Sequence, residues 1–152
     1  MEALERRLIS AQMAVLLGRR MYDEWSQYWP TSSEQPFADF INNTPKYVLS
    51  SSDLGPSAWS SSCERLTGPL ETVVQALKED LQGTGDIGVH GSITLVQSLL
   101  AAGLIDEVQL AVAPVLDPLG RRLFDDVRER LRWELVDCVA TENGAVWLTY
   151  RP

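Results

Sequence analysis

Cysteine and histidine are scarce in this chain, and their scarcity excludes several kinds of site. The 152 residues include two cysteines and one histidine. Cys63 and Cys138 lie far apart in the sequence and form no CxxC or Cys/His spacing, which argues against a disulfide framework and a zinc site. We therefore expect no bound metal and two reduced, buried thiols, because free cysteine is among the most frequently buried residue types.

Basic charge and long apolar runs are also lacking. The net charge is −8, with 13 lysines and arginines against 21 aspartates and glutamates. Nucleic acids and anionic membranes select a basic face, so neither is an expected partner, and an anionic ligand must be held locally. Residues 1–17 lack the apolar core of a signal peptide, and no run reaches the ~18 apolar residues of a membrane span. The sequence thus predicts a cytoplasmic protein.

What the sequence does contain is the alternation of helical and strand patterns that is typical of an α/β fold. Its length fits a single domain, residues 1–152. An Asn-Gly pair near the end predicts an antiparallel hairpin after a mostly parallel, mixed sheet. The periodicity predicts helices at 2–13, 19–28, 36–42, 71–81 and 93–102, and strands at 14–17, 46–50, 63–66, 86–90, 108–115, 132–140 and 145–150.

Two junctions of strand, glycine and helix are the most informative local features. They are AVLLGRRMYDEW at 14–25 and DIGVHGSITLVQSLL at 86–100. In an open α/β sheet such junctions lie at the carboxyl ends of strands, where ligands bind, and the start of the following helix offers unpaired N–H groups to an anion. We therefore expect Gly18 and Gly91 to converge on one phosphate-binding site.

Five segments in order carry a family resemblance. Together they resemble the dihydrofolate-reductase-like family, most closely the reductase (C-terminal) domain of the bifunctional deaminase/reductase of riboflavin biosynthesis. The resemblance implies a three-layer αβα fold and NADPH as the cofactor. The segments are GRRMY at 18–22, PKYVLSSS at 45–52, GVHGSITLVQSLLAAGLIDEVQLAVAPVL at 88–116, GRRLF at 120–124 and LTYRP at 148–152.

The resemblance also implies where NADPH binds. A glycine lets the backbone approach the pyrophosphate, a helix start supplies partial positive charge, and arginine forks onto a phosphate. The alternatives are a solvated helix start for the arginines, ordinary turn chemistry for the serines and helix-to-strand packing for the second glycine. The implied residues are Gly18, Arg19 and Arg20 in the first element, Ser50 and Ser51 in the second, and Gly91, Ser92, Ile93 and Thr94 in the third.

No catalytic residue can be assigned from the sequence. His90 ends a predicted buried strand, and we interpret it as a hydrogen-bonded structural residue, with a place beside the cofactor as the alternative. Glu2 is a weak candidate for the substrate-binding acid of folate reductases, because helix starts favour acids in any case. The aromatic side chains Trp25, Tyr28 and Trp29 are interpreted as packing residues.

The chain departs from the family pattern at three places. Met21 stands where relatives place a hydroxyl residue. No arginine follows Ser51 closely, so no second phosphate clamp is expected there, and the choice between NADPH and NADH stays open. The family's first strand and substrate-covering loop precede the first helix, whereas this sequence opens within that helix. Either the recorded start is internal to a longer gene product or the architecture is altered through oligomerisation.

The expected function is that of an NADPH-dependent oxidoreductase acting on a small heterocyclic or ribosylamino-pyrimidine substrate. The two models are 5-amino-6-(5-phosphoribosylamino)uracil reductase and dihydrofolate reductase, in which the cofactor carries the chemistry and the protein orients it. The alternative is a non-catalytic nucleotide-binding or oligomerisation module that retains the fold. Strand 108–115 and the C-terminal hairpin are the expected surface of a homodimer.

Overall fold

The computed structural model describes residues 2–124 and 130–152, and the chain divides into two compact units, residues 1–96 and 97–152. A 3-10 turn, Trp29–Thr31, follows the second helix. The helices are α1 (Glu2–Ser10), α2 (Arg19–Tyr28), α3 (Phe37–Asn43), α4 (Leu70–Asp80) and α5 (Ile93–Ala101). The strands are β1 (Gln12–Gly18), β2 (Lys46–Leu49), β3 (Cys63–Leu66), β4 (Asp86–Gly88), β5 (Val108–Val112), β6 (Glu134–Ala140) and β7 (Val146–Arg151).

The first unit is built on a four-stranded parallel sheet with the order β3-β2-β1-β4. Strand β1 lies inside this sheet, between β2 and β4. Its residues Ala14–Leu17 are at most 1% exposed. Four consecutive buried apolar residues are typical of a parallel strand that is covered on both faces, so the short run AVLL becomes a central strand.

The core of this unit joins strands β1 and β2 to helices α2 and α3. Tyr22 of α2 is 1% exposed, and its hydroxyl shares a 2.7 Å hydrogen bond with Ser57 Oγ. Trp59 is buried too, and its indole N–H donates to Asn42 Oδ1 at 2.7 Å. Large aromatic side chains bury much apolar area but need partners for their polar atoms, and here both have one. The other buried members are Val15, Leu17, Ile41 and Val48.

Lys46 is an unusual member of the interior, since it is 1% exposed. Its ammonium donates to the carbonyl oxygen of Thr44 at 2.7 Å, to that of Asn42 at 3.3 Å and to Ser62 Oγ at 3.1 Å. It also lies 4.7 Å from the centre of the Trp59 ring, a cation–π distance. Burial lowers its pKa to about 8, because a low dielectric disfavours the charged form. The side chain thereby ties β2 to the end of α3.

The second unit contains a three-stranded antiparallel sheet with the order β5-β7-β6. The turn between β6 and β7 is the predicted Thr-Glu-Asn-Gly hairpin. Gly144 has a φ of +82°, and its N–H donates to Thr141 O at 2.9 Å. Glycine adopts such a φ without the steric cost that a Cβ imposes. The Asn-Gly signal therefore predicted this connection correctly.

The predicted fold class is confirmed, and the bounds of α2 and β3 are as predicted. The strands form two separate sheets, however, where the sequence suggested one mixed sheet. Strand β1 begins at Gln12, two residues early, because Gln12 pairs with Asp86 of β4. Strand β5 ends at Val112, because its antiparallel partner begins opposite it at Val146. Both differences come from pairing with a distant segment, which local patterns do not reveal.

Both cysteines are free, but their burial differs from the prediction. Cys63 is half-buried and Cys138 is exposed, so the prediction of two buried thiols is wrong. It lies on β6, an outer strand of the second sheet. Across residues 2–124 and 130–152, no helix is long and apolar enough to span a bilayer, and no three His, Cys, Asp or Glu side chains are grouped as metal ligands.

Candidate functional site

The two glycine junctions meet at one edge of the parallel sheet. Strands β1 and β4 are parallel neighbours, so their carboxyl ends lie at the same edge. A Cβ atom at Gly18 would lie 3.1 Å from Ser92 Oγ, and one at Gly91 would lie 3.0 Å from Met21 Cε. The segment after β1 and the segment after β4 therefore contact each other directly. The structure brings Gly18 and Gly91 together as the sequence suggested.

The two glycines serve this contact for different reasons. Gly91 has a φ of +68°, in the left-handed region that side chains rarely adopt. Gly18 has an ordinary extended backbone, with φ −77° and ψ 157°, which any residue can adopt. Glycine suits this position because Ser92 lies too close for a side chain. Gly18 caps α2 and contributes no side-chain hydrogen bond to it. The first N–H groups of α2 are thus left without a side-chain cap.

Helix α5 starts at the same edge. The N–H of Ile93 donates to Gly91 O at 3.1 Å and that of Val96 to Ser92 O at 2.9 Å, which completes the turn leading into the helix. Ser92 and Ile93 are half-buried, and Thr94 is exposed in the first turn. The starts of two helices and the hydroxyl of Ser92 therefore lie beside Gly18. Helix starts carry partial positive charge, which favours a bound anion.

Residues Ser50–Asp53, which we call the serine loop, follow strand β2. Ser50 Oγ donates to Ser52 O at 2.7 Å and accepts the N–H of Ser52 at 3.2 Å. This pattern is the local turn that serine commonly stabilises, so the turn-chemistry alternative holds for Ser50. Ser51 is exposed, and its hydroxyl forms no hydrogen bond with any described residue. Ser51 is therefore the predicted serine that is open to a ligand.

Arg19 connects the start of α2 to the serine loop. Its Nε donates to both carboxylate oxygens of Asp23, at 2.8 and 3.0 Å. Its Nη1 donates to Ser52 Oγ at 2.7 Å and to Asp53 O at 2.9 Å, with longer contacts to Ser50 Oγ and Ser52 O. The solvated-helix-start alternative is therefore wrong for Arg19, which holds the loop against α2.

Arg20 behaves differently from its neighbour. Its side chain is 88% exposed, and its Nε pairs with Glu24 Oε1 at 2.9 Å, one helical turn away. Exposed pairs of this kind contribute little to stability. The two arginines of the GRR motif thus differ in role: Arg19 is bonded to the serine loop, and Arg20 lies in solvent.

An aromatic cluster lies next to Gly91. Trp25 packs edge-on against Trp29, with ring centres 5.6 Å apart, and against Phe37 at 5.7 Å. A Cβ atom at Gly91 would lie 3.5 Å from the Trp25 ring. The indole N–H of Trp29 is buried and has no partner among the described residues. The interpretation of these tryptophans as packing residues is confirmed.

His90 belongs to the same cluster. Its Nε2 shares a 2.7 Å hydrogen bond with Gln12 Oε1, and its ring packs against Phe37 at 5.1 Å and Phe40 at 6.0 Å. Burial lowers its pKa to about 4, so the ring is neutral at pH 7. The prediction of a hydrogen-bonded structural histidine is confirmed. The bond joins the first residue of β1 to the segment that follows β4.

Sequence reasoning missed a second arginine at the serine loop. Arg65 of β3 places its Nη2 3.2 Å from Asp53 Oδ1. Strand β3 runs parallel to β2, with Arg65 opposite Val48, and this register carries the arginine to the loop. An arginine from another strand thus reaches the loop, although no arginine follows Ser51 closely in the sequence. The pairing of KYVL with CERL was the available signal, since both segments were predicted strands.

The first unit thus gathers, at one sheet edge, groups of the kinds that bind phosphates in proteins. They are two helix starts, a left-handed glycine, exposed hydroxyls and three arginines. A family model described as the RibD C-terminal domain matches residues 4–147. The chain belongs to the RibD C-terminal domain family. This confirms the resemblance drawn from the five sequence segments.

Solved structures share the fold of this chain, and one curated protein is similar to it in sequence. A Shewanella protein described as a riboflavin biosynthesis protein superimposes with a TM-score of 0.77 at 19% identity, over 95% of this chain and 76% of that one. A deaminase/5-amino-6-(5-phosphoribosylamino)uracil reductase from Thermotoga maritima gives 0.66 at 15% identity, over 100% of this chain and 48% of that one. The uncharacterized protein YyaP of Bacillus subtilis is 26% identical over 140 residues, which are 90% of this chain and 72% of YyaP.

Proposed function

We propose that this RibD C-terminal domain protein is an NADPH-dependent reductase of a heterocyclic or ribosylamino-pyrimidine substrate. The observation that carries the proposal is the contact between the two glycine junctions, with a Gly18 Cβ position only 3.1 Å from Ser92 Oγ. Two helix starts flank this contact, and helix starts at the carboxyl edge of a parallel sheet suit the pyrophosphate of a dinucleotide. The reductase activity named for the Thermotoga relative supports the choice of reaction.

Different residues bind different parts of the cofactor. The starts of α2 and α5, with Gly18 and the Gly91–Thr94 turn, hold the pyrophosphate. Ser51 and the rest of the serine loop hold the adenosine end, and Arg19 fixes that loop. Arg20, exposed beside the helix start, contributes charge to the anion. Bound NADPH supplies a hydride, and these residues bind and orient it.

His90 is not assigned as the proton donor of this reaction. Its pKa is lowered to about 4, and its Nε2 is engaged by Gln12. A general acid at neutral pH needs a proton to give and a free path to the substrate. His90 is therefore a supporting residue that keeps β1 and β4 in register beside the cofactor.

Direct binding of NADPH, followed by quenching of tryptophan fluorescence, tests the proposal. Gly91→Ala is expected to weaken binding by about tenfold or more, because one methyl group there meets Met21 at 3.0 Å and the backbone is strained. Gly103→Ala is the matched control: its φ is +65°, nearly that of Gly91, and no atom lies within 4 Å of the added methyl group. Equal affinities in the two variants, or no binding by the unaltered protein at millimolar NADPH, contradict the proposal.

A second candidate is a nucleotide-binding or oligomerisation module without turnover. The observation that favours it is apolar exposure on the second unit, where Val112 is 49%, Leu135 54% and Val136 50% exposed. We propose that β5 and the C-terminal hairpin form the surface of a cytoplasmic homodimer, which serves either function. The test is to mix the protein and NADPH with 5-amino-6-(5-phosphoribosylamino)uracil or with dihydrofolate. If NADPH binds but is not oxidised, the protein is a module without turnover.

A further inference from the structure

The two arginines that reach the serine loop are held in different ways. Arg19 is held through Nε by the Asp23 carboxylate and through Nη1 by neutral oxygens of the loop. Arg65 contacts the carboxylate of Asp53, and within residues 2–124 and 130–152 its guanidinium has no other polar partner. Arg19 therefore holds the loop in shape, whereas the charge of Arg65 is paired with the Asp53 carboxylate alone.

The Asp53 carboxylate is an exchangeable partner. Its side chain is 93% exposed, and the contact is a single 3.2 Å ion pair with an arginine that is 35% exposed. Exposed pairs of this type are weak and are screened by salt. A phosphate monoester carries about −1.5 to −2 charges and three acceptor oxygens, so it competes effectively with one carboxylate for a guanidinium.

The surroundings of this pair suit a phosphate. The exposed hydroxyl of Ser51 lies two residues before Asp53 in the same loop. The carboxylate of Asp23, which also lies near the loop, is already paired with Arg19. Glu64 is next to Arg65 on β3, and adjacent side chains of a strand point to opposite faces of the sheet. Displacement of Asp53 therefore leaves the loop with a cation whose charge is not otherwise engaged.

We propose that the Asp53 carboxylate occupies, in the ligand-free protein, the position on Arg65 that the 2′-phosphate of a phosphorylated dinucleotide takes on binding. This inference rests on the proposed function and deepens it: Arg65 determines the preference for NADPH over NADH. Asp53 acts as an internal competitor, which lowers the affinity for every anion at this position. No covalent step is involved, and the exchange is one ion pair for another.

The test compares NADPH with NADH, and adenosine 2′,5′-bisphosphate with adenosine 5′-monophosphate, by direct binding. Arg65→Gln is expected to weaken NADPH and the bisphosphate about tenfold, and to leave NADH and the monophosphate within about twofold, because only the first two carry the 2′-phosphate. Asp53→Asn is expected to tighten NADPH a few-fold, because the competing carboxylate is gone. Arg65→Lys, which keeps the charge, restores part of the loss.

Arg151→Gln is the matched control, since Arg151 forms a comparable pair with Glu107 in the second unit and its loss changes the net charge equally. Circular dichroism and the melting temperature establish that each variant folds. If Arg65→Gln weakens NADPH and NADH equally, or weakens neither, the inference is overturned while the proposed function stands. The same holds if Asp53→Asn leaves NADPH binding unchanged or weakens it. If the unaltered protein binds neither nucleotide, both the proposed function and the inference fail.

Discussion

The two units of the chain bury their apolar residues to very different extents. In the first unit, Val15 and Leu17 of the parallel sheet are fully buried at 0% exposure, whereas Leu135 and Val136 of the antiparallel sheet are 54% and 50% exposed. Residues that the sequence predicted to bind the cofactor all lie in the first unit. The well-buried sheet thus carries the candidate site, and the exposed sheet carries the surface that we propose for a homodimer.

The largest expected effect is the loss of a core side chain in the first unit. Leu17→Ala removes a side chain that is 0% exposed and is expected to lower the free energy of unfolding by about 2–5 kcal/mol, because the cavity cannot fully collapse. Leu135→Ala, at a position 54% exposed, is the matched control and should change it by less than about 1 kcal/mol in dilute solution. Urea unfolding measures both. Equal losses would show that the two sheets are packed alike.

The next effect is a pH dependence that belongs to the first unit. The pKa of His90 is lowered from 6.5 to about 4 by burial, so between those values the unfolded chain binds a proton that the folded chain does not. Stability is therefore lost as the pH falls from 6.5 towards 4, by on the order of 3 kcal/mol. His90→Gln is expected to lose less stability over this range, and urea titrations at several pH values measure the difference. Parallel pH profiles for the two proteins contradict the prediction.

A smaller effect separates the arginine pairs of the two units. Arg19→Ala removes the bonds that hold the serine loop to α2 and is expected to cost about 1–3 kcal/mol of stability, because charged hydrogen bonds to several oxygens are lost. Arg151→Ala removes one pair with Glu107 and should cost at most about 1 kcal/mol. Thermal unfolding compares the two. A larger loss for Arg151 would place the firmer ion pair in the second unit.

The smallest effect concerns glycine. Gly144→Ala is expected to lower the free energy of unfolding by about 1 kcal/mol, because alanine is strained at a φ of +82°. The nearest atom lies 3.5 Å from the added methyl group, so no steric clash adds to this cost. Gly55→Ala, at a φ of +71° in the first unit and with open space around it, is the comparison. Similar losses show that the backbone sets the cost in both units.

Local patterns predicted the elements well but not their long-range partners. The run AVLL, the GRR helix start and the Asn-Gly turn each carry their structure within a few residues, so β1, α2 and the last hairpin were predictable. The bond between Gln12 and His90 spans 78 positions, and a single sequence holds no sign of it. Arg65 likewise reaches the serine loop only through the register of β3 with β2. The contacts at the site that were not predicted are those that depend on how distant strands pair.

The enclosure of Lys46 has a practical consequence for following local opening of the fold. Lys46 is one of two lysines in the chain, and its ammonium is enclosed by carbonyl oxygens and an indole ring. An acylating reagent reaches the Lys46 ammonium only when β2 separates from the end of α3. The rate at which the Lys46 peptide becomes acylated, measured by mass spectrometry, therefore reports the rate of this opening.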